Sequence, residues 1–552
     1  MTPMSPDPAP DATARSMSGT GQLSGRTFVL AVASVTLSQG IASYDIAGMP
    51  TLTRTILSDL GTTLTAVQYG VSGQALFAAA FMMVAARLGA LFGRTRILVW
   101  GLVIRLVGMI LTALAPNIFF FIFGRAVLGG IGIALTLVNG LAIIGNAFTG
   151  SHQVRAASAV AASTAVATVT APLIAGVLAE SLGWRWFFVV GAIGILLALA
   201  LSRSAPVVEA TSKSENLDLL GAVLAVISFG CVIIGIQQVA PWGLIEVRDA
   251  PFTVLGKSPA PFFFLAGLVL VAGFVGFEHL RRLAGKPVLF DLQMLRKRFI
   301  RNGDLAVIGF SAIIAGFTFL IPVYLQVFQG LTPLQSSLRT CFTGVGGVVS
   351  VVMLRRIVQR YSLRRIFALA VAFGLLGLFS LAWDVGPFPE GAVPLSVFFI
   401  GLTIPLTKSS LNMATLRAVP PVEHGQLSGL NESSWSLGGS LGVAIVGTIL
   451  LATLAGGVSR LVLDDPAISD RAQAIVQEYV EQGVPLGSAK RVRTVLTERG
   501  LPPSDIDILT DHYLAATNRA LLWAIGGAAV ISLMTATFVW RLPRKNPEFD
   551  DG

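Results

Sequence analysis

The sequence predicts an all-α polytopic membrane protein with about fourteen transmembrane helices. Three observations carry that expectation. Long apolar runs follow one another along almost the whole chain, and each approaches or exceeds the roughly 20 residues a helix needs to cross a bilayer core. The composition is 54% hydrophobic and only 12% charged. Lysine and arginine collect in every second gap between runs, as they do where alternate gaps face the cytoplasm.

The elements follow in order. Residues 1–25, rich in Pro, Ser, Thr and Asp, read as a disordered cytoplasmic tail; they lack the basic start and short apolar core of a cleavable signal. Runs near 28–49, 66–86, 97–116, 118–145, 156–180 and 186–202 form a first six-helix bundle, residues 26–205. Two more runs, near 217–237 and 261–277, are inserted helices that end in a basic linker, giving a middle unit of residues 206–300. A last set, near 303–328, 340–354, 366–383, 392–416, 427–455 and 518–540, forms a second six-helix bundle, residues 301–552. The gap at 456–517 differs from the others. Its mixed charge and amphipathic periodicity predict a small extracytoplasmic helical cap, with Ser469 and Ser488 starting helices that end near Gly483 and Gly500.

The formal charge of +10 does not point to nucleic acid, because of where the charges fall. With a cytoplasmic N-terminus, the inside gaps hold groups such as Arg87, Arg94 and Arg96, then Arg296, Lys297, Arg298 and Arg301, then Arg355, Arg356 and Arg360. The short outside gaps hold little beyond Arg54, Arg185, Arg248 and Lys257. This bias predicts a multi-pass protein of the plasma membrane, the inner membrane in a Gram-negative bacterium, with both termini cytoplasmic. The bilayer and its anionic headgroups are the partners of the basic excess. Cys231 and Cys341 lie in apolar runs without ligand spacing, and the four histidines form no cluster, so neither a disulfide nor a metal site is expected. No phosphate-binding loop precedes a lysine, which argues against ATP-driven pumping. No nucleophile elbow or metal spacing supports an intramembrane enzyme.

Several stretches resemble the major facilitator superfamily, in particular its fourteen-helix drug:proton antiporter branch. Arg87-Leu88-Gly89-Ala90-Leu91-Phe92-Gly93-Arg94-Thr95-Arg96 is similar to the superfamily loop G-x-L-x-D-R-x-G-R-R. Arg125-Ala126-Val127-Leu128-Gly129-Gly130-Ile131-Gly132 is similar to R-x-x-Q-G-x-G, and Ala171-Pro172-Leu173-Ile174-Ala175-Gly176 to the antiporter motif G-P-x-x-G-G. Later stretches, Gly425 to Gly429 and Leu437 to Gly439, look like the family's thirteenth helix. The motifs are degenerate: Ala90 and Leu91 replace Asp and Arg, Leu128 replaces Gln, and Ala171 and Ala175 replace Gly. The resemblance implies a major facilitator fold and transport by alternating access, with Arg87, Gly89, Gly93 and Arg94 as a gating loop. It also implies a proton gradient rather than a cofactor as energy source, and efflux of an amphipathic or drug-like small molecule.

Asp45, Arg105, Arg125, Lys408 and Glu432 lie within predicted crossings. A charge at a helix centre costs about 2.5–3.5 kcal/mol on insertion scales, so each should face the bundle interior, water or another charge. Counting residues from the helix ends puts Asp45 and Arg125 at one depth and Lys408 and Glu432 at another. These two pairs are the candidate proton-coupling and substrate-cavity groups. Pairing favours a charged carboxylate and drying favours a protonated one, so such a site can link proton and substrate occupancy. Asp45→Asn is then expected to abolish proton-linked transport while leaving the fold intact. Arg105 is expected to snorkel or to pack polar groups. Gln74, Asn139, Tyr324 and Gln326 are candidate neutral cavity contacts. A non-transporting sensor or scaffold, or an importer, stands as the alternative.

Overall fold

The computed structural model describes residues 25–545 apart from 148–149, 204–217, 246–249, 251, 287, 289–293, 358–359, 386–390, 417–423, 464, 466–467 and 483–487. Nearly all of the terminal tail, the polar stretch 204–217 and part of the basic linker therefore lie outside the described residues. Among those described, regular structure is helical. The long helices are α1 (Gly25–Gly48), α2 (Leu64–Phe92), α3 (Arg94–Ala113), α4 (Ile118–Ile144), α5 (Gly150–Ser181) and α6 (Arg185–Ser202). Then come α7 (Leu219–Gln237) and α8 (Ala260–Leu283), followed by α9 (Arg298–Phe328), α10 (Pro333–Leu354), α11 (Leu363–Val385), α12 (Val393–Leu416) and α13 (His424–Leu463). Two short helices, α14 (Asp470–Gln482) and α15 (Ala489–Glu498), precede α16 (Pro503–Trp540).

Twelve of these helices are long and apolar enough to span a membrane, and α2 makes a thirteenth despite a 45° bend between Met82 and Val84. The 24-residue α1 packs among them against α5 and α6. Large apolar side chains such as Trp100, Val269 and Leu197 stand exposed along the outer faces. A bilayer satisfies such a surface, because lipid is as apolar as the side chains that meet it.

The pairing of helices repeats. In the first half α1 packs on α5 and α6, α4 on α2 and α3, and α3 on α6; in the second half α9 packs on α13 and α16, α12 on α10 and α11, and α11 on α16. Each helix of one half thus has a counterpart in the other: α1 with α9, α4 with α12, α5 with α13. The halves meet along two seams, α2 against α13 and α5 against α10. The inserted helices α7 and α8 pack on each other, and α7 lies along the α2–α13 seam. There the Thr448 hydroxyl donates to the Ile236 carbonyl at 3.0 Å, and Gln237 donates to Ser72.

Small residues set how closely helices pack within a half, as expected where no hydrophobic effect drives helices together. On α13, a Cβ at Gly438 or Gly442 would fall 2.2 Å from the Ile308 carbonyl oxygen and 2.0 Å from that of Ala312 on α9. With 40 and 38 residues, α13 and α16 reach about 60 Å, roughly twice a bilayer core. Their overhanging ends join α14 and α15. This small unit buries Ile468, Ala472, Leu496 and Leu509, and is tied by Ser469–Asp505 at 2.5 Å and His512–Asp465 at 2.7 Å. The Ser469 hydroxyl accepts from the Ala472 N–H, whereas Ser488 stands at the N-cap of α15 without a side-chain capping bond.

Candidate functional site

The last turn of α1 carries Asp45 inward, just before the chain tightens through Met49–Leu52. Opposite it, α4 widens into a π-helical turn over Phe123–Gly129, a feature frequent at functional sites, and this turn carries Arg125. Its register is held by close approach to α3. A Cβ at Gly124 would lie 2.9 Å from the Gly108 carbonyl oxygen, and one at Gly132 would lie 2.7 Å from the Arg105 Cβ. Glycine at these positions brings both arginines up to α1.

The result is a closed triangle of three buried side chains. Arg125 Nη1 lies 2.6 Å from Asp45 Oδ1, Arg125 Nη2 donates to Gln74 Oε1 at 3.0 Å, and Gln74 Nε2 donates to Asp45 Oδ2 at 2.8 Å. Arg105 stands 4.0 Å from Asp45 Oδ2 and donates to the α1 carbonyls of Ile41 at 2.7 Å and Ser38 at 3.4 Å. It is 1% exposed, so it does not snorkel; its guanidinium points into the bundle and packs polar groups. The site therefore holds two guanidiniums against one carboxylate, away from solvent. Phe188 places its ring face 5.8 Å from the Arg125 guanidinium, and Tyr44 stacks on Phe187 with ring centroids 4.2 Å apart.

The second pair forms at the other depth. Lys408 Nζ on α12 lies 2.8 Å from Glu432 Oε2 on α13, and the ammonium sits 5.3 Å from the centre of the Trp435 ring. Glu432 is buried, but the Lys408 side chain is 33% exposed. Ser311 of α9 donates to the Trp435 carbonyl at 2.5 Å, so the aromatic wall is fixed to α9. Nearby, Asn431 bridges to Asn412 at 2.6 Å and to Thr415 at 3.1 Å.

The remaining candidates separate. Gln74 belongs to the triangle. Asn139 does not: its amide donates to the carbonyls of Leu135 at 2.9 Å and Ala85 at 3.1 Å, just past the bend in α2. Its Oδ1 would lie 1.8 Å from a Cβ at Gly89, so Asn139 packs against the last turns of α2. Gly93 breaks α2 from α3 at φ +95°, a conformation that disfavours any side chain. Of the loop arginines, Arg87 and Arg94 are half-buried. Tyr324 donates to the Asp384 carboxylate at 3.2 Å and accepts from Gln329 at 2.8 Å, an interhelical clamp between α9 and α11. Gln326 is buried in the π-helical turn Val323–Phe328, and neither amide atom has a hydrogen-bond partner among the described residues.

At the end of the bundle nearest Asp45 the two halves are tied by polar contacts. Arg54 donates to the carbonyls of Gly330 at 3.2 Å and Leu331 at 3.0 Å. Glu180 accepts from the Leu334 N–H at 2.9 Å, and Ser337 donates to the Pro172 carbonyl at 2.6 Å. Pro172 belongs to the antiporter-like motif, so that motif contributes a carbonyl to the contact between halves.

One group escaped the sequence reading. Asp304 of α9 is buried, and among the described residues neither carboxyl oxygen makes a hydrogen bond of good geometry. Its place inside the ninth apolar run was the available signal.

Two repeated six-helix bundles with a buried charge cluster in each define a membrane transporter rather than an enzyme. A family model described as Major Facilitator Superfamily matches residues 35–443, and the chain belongs to that superfamily. It is 27% identical over 496 residues to the drug efflux pump JefA of Mycobacterium tuberculosis (strain CDC 1551 / Oshkosh), covering 87% of this chain and 91% of that one. It is 24% identical over 416 residues to the multidrug resistance protein B homolog of the same strain, covering 75% and 74%. A lincomycin resistance protein of Streptomyces lincolnensis is 26% identical over 390 residues, covering 70% and 77%. Among solved structures, an inward-facing, unoccupied bacterial homolog of the human lysosomal transporter Spinster matches with a TM-score of 0.58 at 14% identity. That match covers 96% of this chain and all of the other. A POT peptide transporter in complex with sulfate matches at 0.57 and 17%, covering 93% and 94%. These likenesses establish the fold.

Proposed function

We propose that this protein is a secondary active transporter that exports an amphipathic or drug-like small molecule in exchange for protons. The observation that carries the reading is the dry triangle of Asp45, Arg125 and Gln74 with Arg105 at its edge. Sealing a carboxylate and two guanidiniums in a membrane bundle is expensive, and purely structural helices avoid it. Its members come from four helices, so relative movement of those helices changes which charges are compensated. The cationic group of a zwitterionic solute and a proton would compete for the Asp45 carboxylate, so that loading of one favours release of the other, as exchange requires.

Alternating access follows from the two halves rocking about the α2–α13 and α5–α10 seams. The ties at the Arg54 end are a handful of hydrogen bonds worth about 0.5–1.5 kcal/mol each, a total that a conformational equilibrium of a few kcal/mol can break. By the distribution of basic residues, that end faces outward, both termini are cytoplasmic, and the Asp465–Asp505 unit is an extracytoplasmic cap. The proton gradient is the energy source, with no ATP and no nucleic acid involved. The relatives' names, a drug efflux pump and two resistance proteins, support export and a drug-like substrate class.

The test is a thermal-shift screen of amphipathic compounds at two pH values, followed by movement of the hits in proteoliposomes. Binding that depends on pH and movement above protein-free vesicles are expected. Binding without movement across the whole set would favour a sensor on a transporter fold.

A further inference from the structure

The helices α1 and α9 are counterparts in the repeat, and each carries a buried carboxyl. Asp45 on α1 is met by the arginine of α4. On α9, Asp304 is not met by Lys408 of α12, the counterpart of α4, because Glu432 holds that lysine at 2.8 Å. Counting along the helices puts Asp304, Lys408 and Glu432 all about 9–12 Å from the same end of the bundle. Three helices thus bring two carboxyls and one ammonium to a single depth.

The seam between α9 and α13 holds Asp304 in place. Gly438 and Gly442 draw the helices into backbone contact, and Ser311 ties α9 to the Trp435 carbonyl. The hydroxyl of Ser434 on α13 lies beside the Asp304 carboxyl. The charged groups on the elements packed around this stretch are Lys408 of α12, Glu432 of α13 and Arg541 at the end of α16, with Arg296 and Lys297 on the approach to α9 and Arg298 and Arg301 in its first turn. None of them is paired with Asp304 among the described residues. A carboxylate here would have neither water nor a counter-charge, a costly arrangement. The neutral acid suits the site as it stands. Water is close: the Lys408 side chain at the same depth is one third exposed.

We propose that Asp304 is a proton carrier of the transport cycle, loaded as the neutral acid in this conformation and emptied when movement of the halves admits the water that reaches Lys408. In the step itself the O–H bond of the acid breaks, the electron pair stays on the carboxylate, and the proton passes to water. The new charge is then stabilised by Lys408, which can divide itself between Asp304 and Glu432. The inference rests on the reading of the protein as a proton-coupled exporter.

Two experiments on the full chain test it. In the first, Asp304→Asn is reconstituted with rhodamine B, a zwitterionic amphipathic dye, as probe. Dye-for-dye counterflow, which moves no net protons, should persist, while accumulation driven by a pH gradient should fall to the level of protein-free vesicles. Gradient-driven accumulation equal to wild type would overturn the proposal. Wild-type vesicles that show no proton-linked dye movement would instead contradict the underlying functional reading, and that result is read before any variant is made. The second experiment needs no variant. A hydrophobic carbodiimide adds to protonated carboxyls in apolar surroundings, so wild-type protein should carry the label on Asp304 and lose it as pH is raised. Peptide mapping that finds Asp304 unlabelled at every pH would refute the assignment.

Discussion

The two halves share a helix plan but treat charge in opposite ways. In the first, Asp45 is enclosed by Arg125, Gln74 and Arg105, and every member is at most 5% exposed. In the second, Glu432 is buried but its partner Lys408 reaches solvent, and a further carboxyl, Asp304, has no counter-charge among the described residues. The sites also lie toward opposite ends of the bundle. Burial decides what each pair is worth: a dry pair is costly to make and costlier to break, whereas a wetted lysine falls back on water when its partner goes. The first site is therefore held together by its own buried charges, whereas the second meets water through Lys408.

Substitutions at the two sites should differ in size accordingly. The largest effect is expected for Asp45→Asn, which leaves Arg125 and Arg105 without a buried counter-charge. Stability should fall by about 3–5 kcal/mol, read from denaturant or thermal unfolding in detergent. This changes the expectation drawn from the sequence, that the fold would be indifferent to the loss. Gln74→Leu should come next. It strips one bond from Arg125 and one from Asp45 while leaving the ion pair, costing about 1–3 kcal/mol in the same assay. For Glu432→Gln the cost should be about 1 kcal/mol or less, because the partly exposed Lys408 keeps water. An equal cost at Asp45 and Glu432 would break the comparison.

The smallest effect sharpens the exposed limit. Asp59 is paired with Arg185 and accepts from the Trp184 indole at 3.0 Å, with both charged side chains about 40% exposed. The Arg185 hydrogen bond, joined by that of Trp184, outweighs a small burial effect and holds the Asp59 carboxyl below the ordinary carboxylate range. A lowered folded value means the stabilisation is present above about pH 4, the unfolded value, and is lost as pH falls through the folded one. Asp59→Asn should cost under about 1 kcal/mol at neutral pH, and the difference from wild type should vanish in acid. Unfolding midpoints at a series of pH values would show it.

Much of this was legible in the sequence, and the misses have physical causes. Run length and basic gaps gave the helices, and residue counts put Asp45 level with Arg125 and Lys408 level with Glu432. Depth is linear in residue number, so it survives without a structure. Rotation about the helix axis is not fixed in the same way. A fraction of a turn decides whether Arg105 snorkels or faces Asp45, and whether Asn139 meets the cavity or the α2 bend. The π-helical turns at Phe123–Gly129 and Val323–Phe328 shift that rotation further, and no residue pattern announced them. Asp304 sits in the second turn of its helix, where depth alone suggests a wetted end; only the closeness of α13 buries it.

The central claim is that solute movement is exchanged for protons through these buried charges. Its most direct measurement is rhodamine B accumulation in wild-type proteoliposomes under an imposed pH gradient, without ATP, before and after a protonophore. Accumulation that follows the gradient and collapses on addition of the protonophore is the predicted result. Accumulation that is indifferent to the gradient and to its collapse would contradict the account.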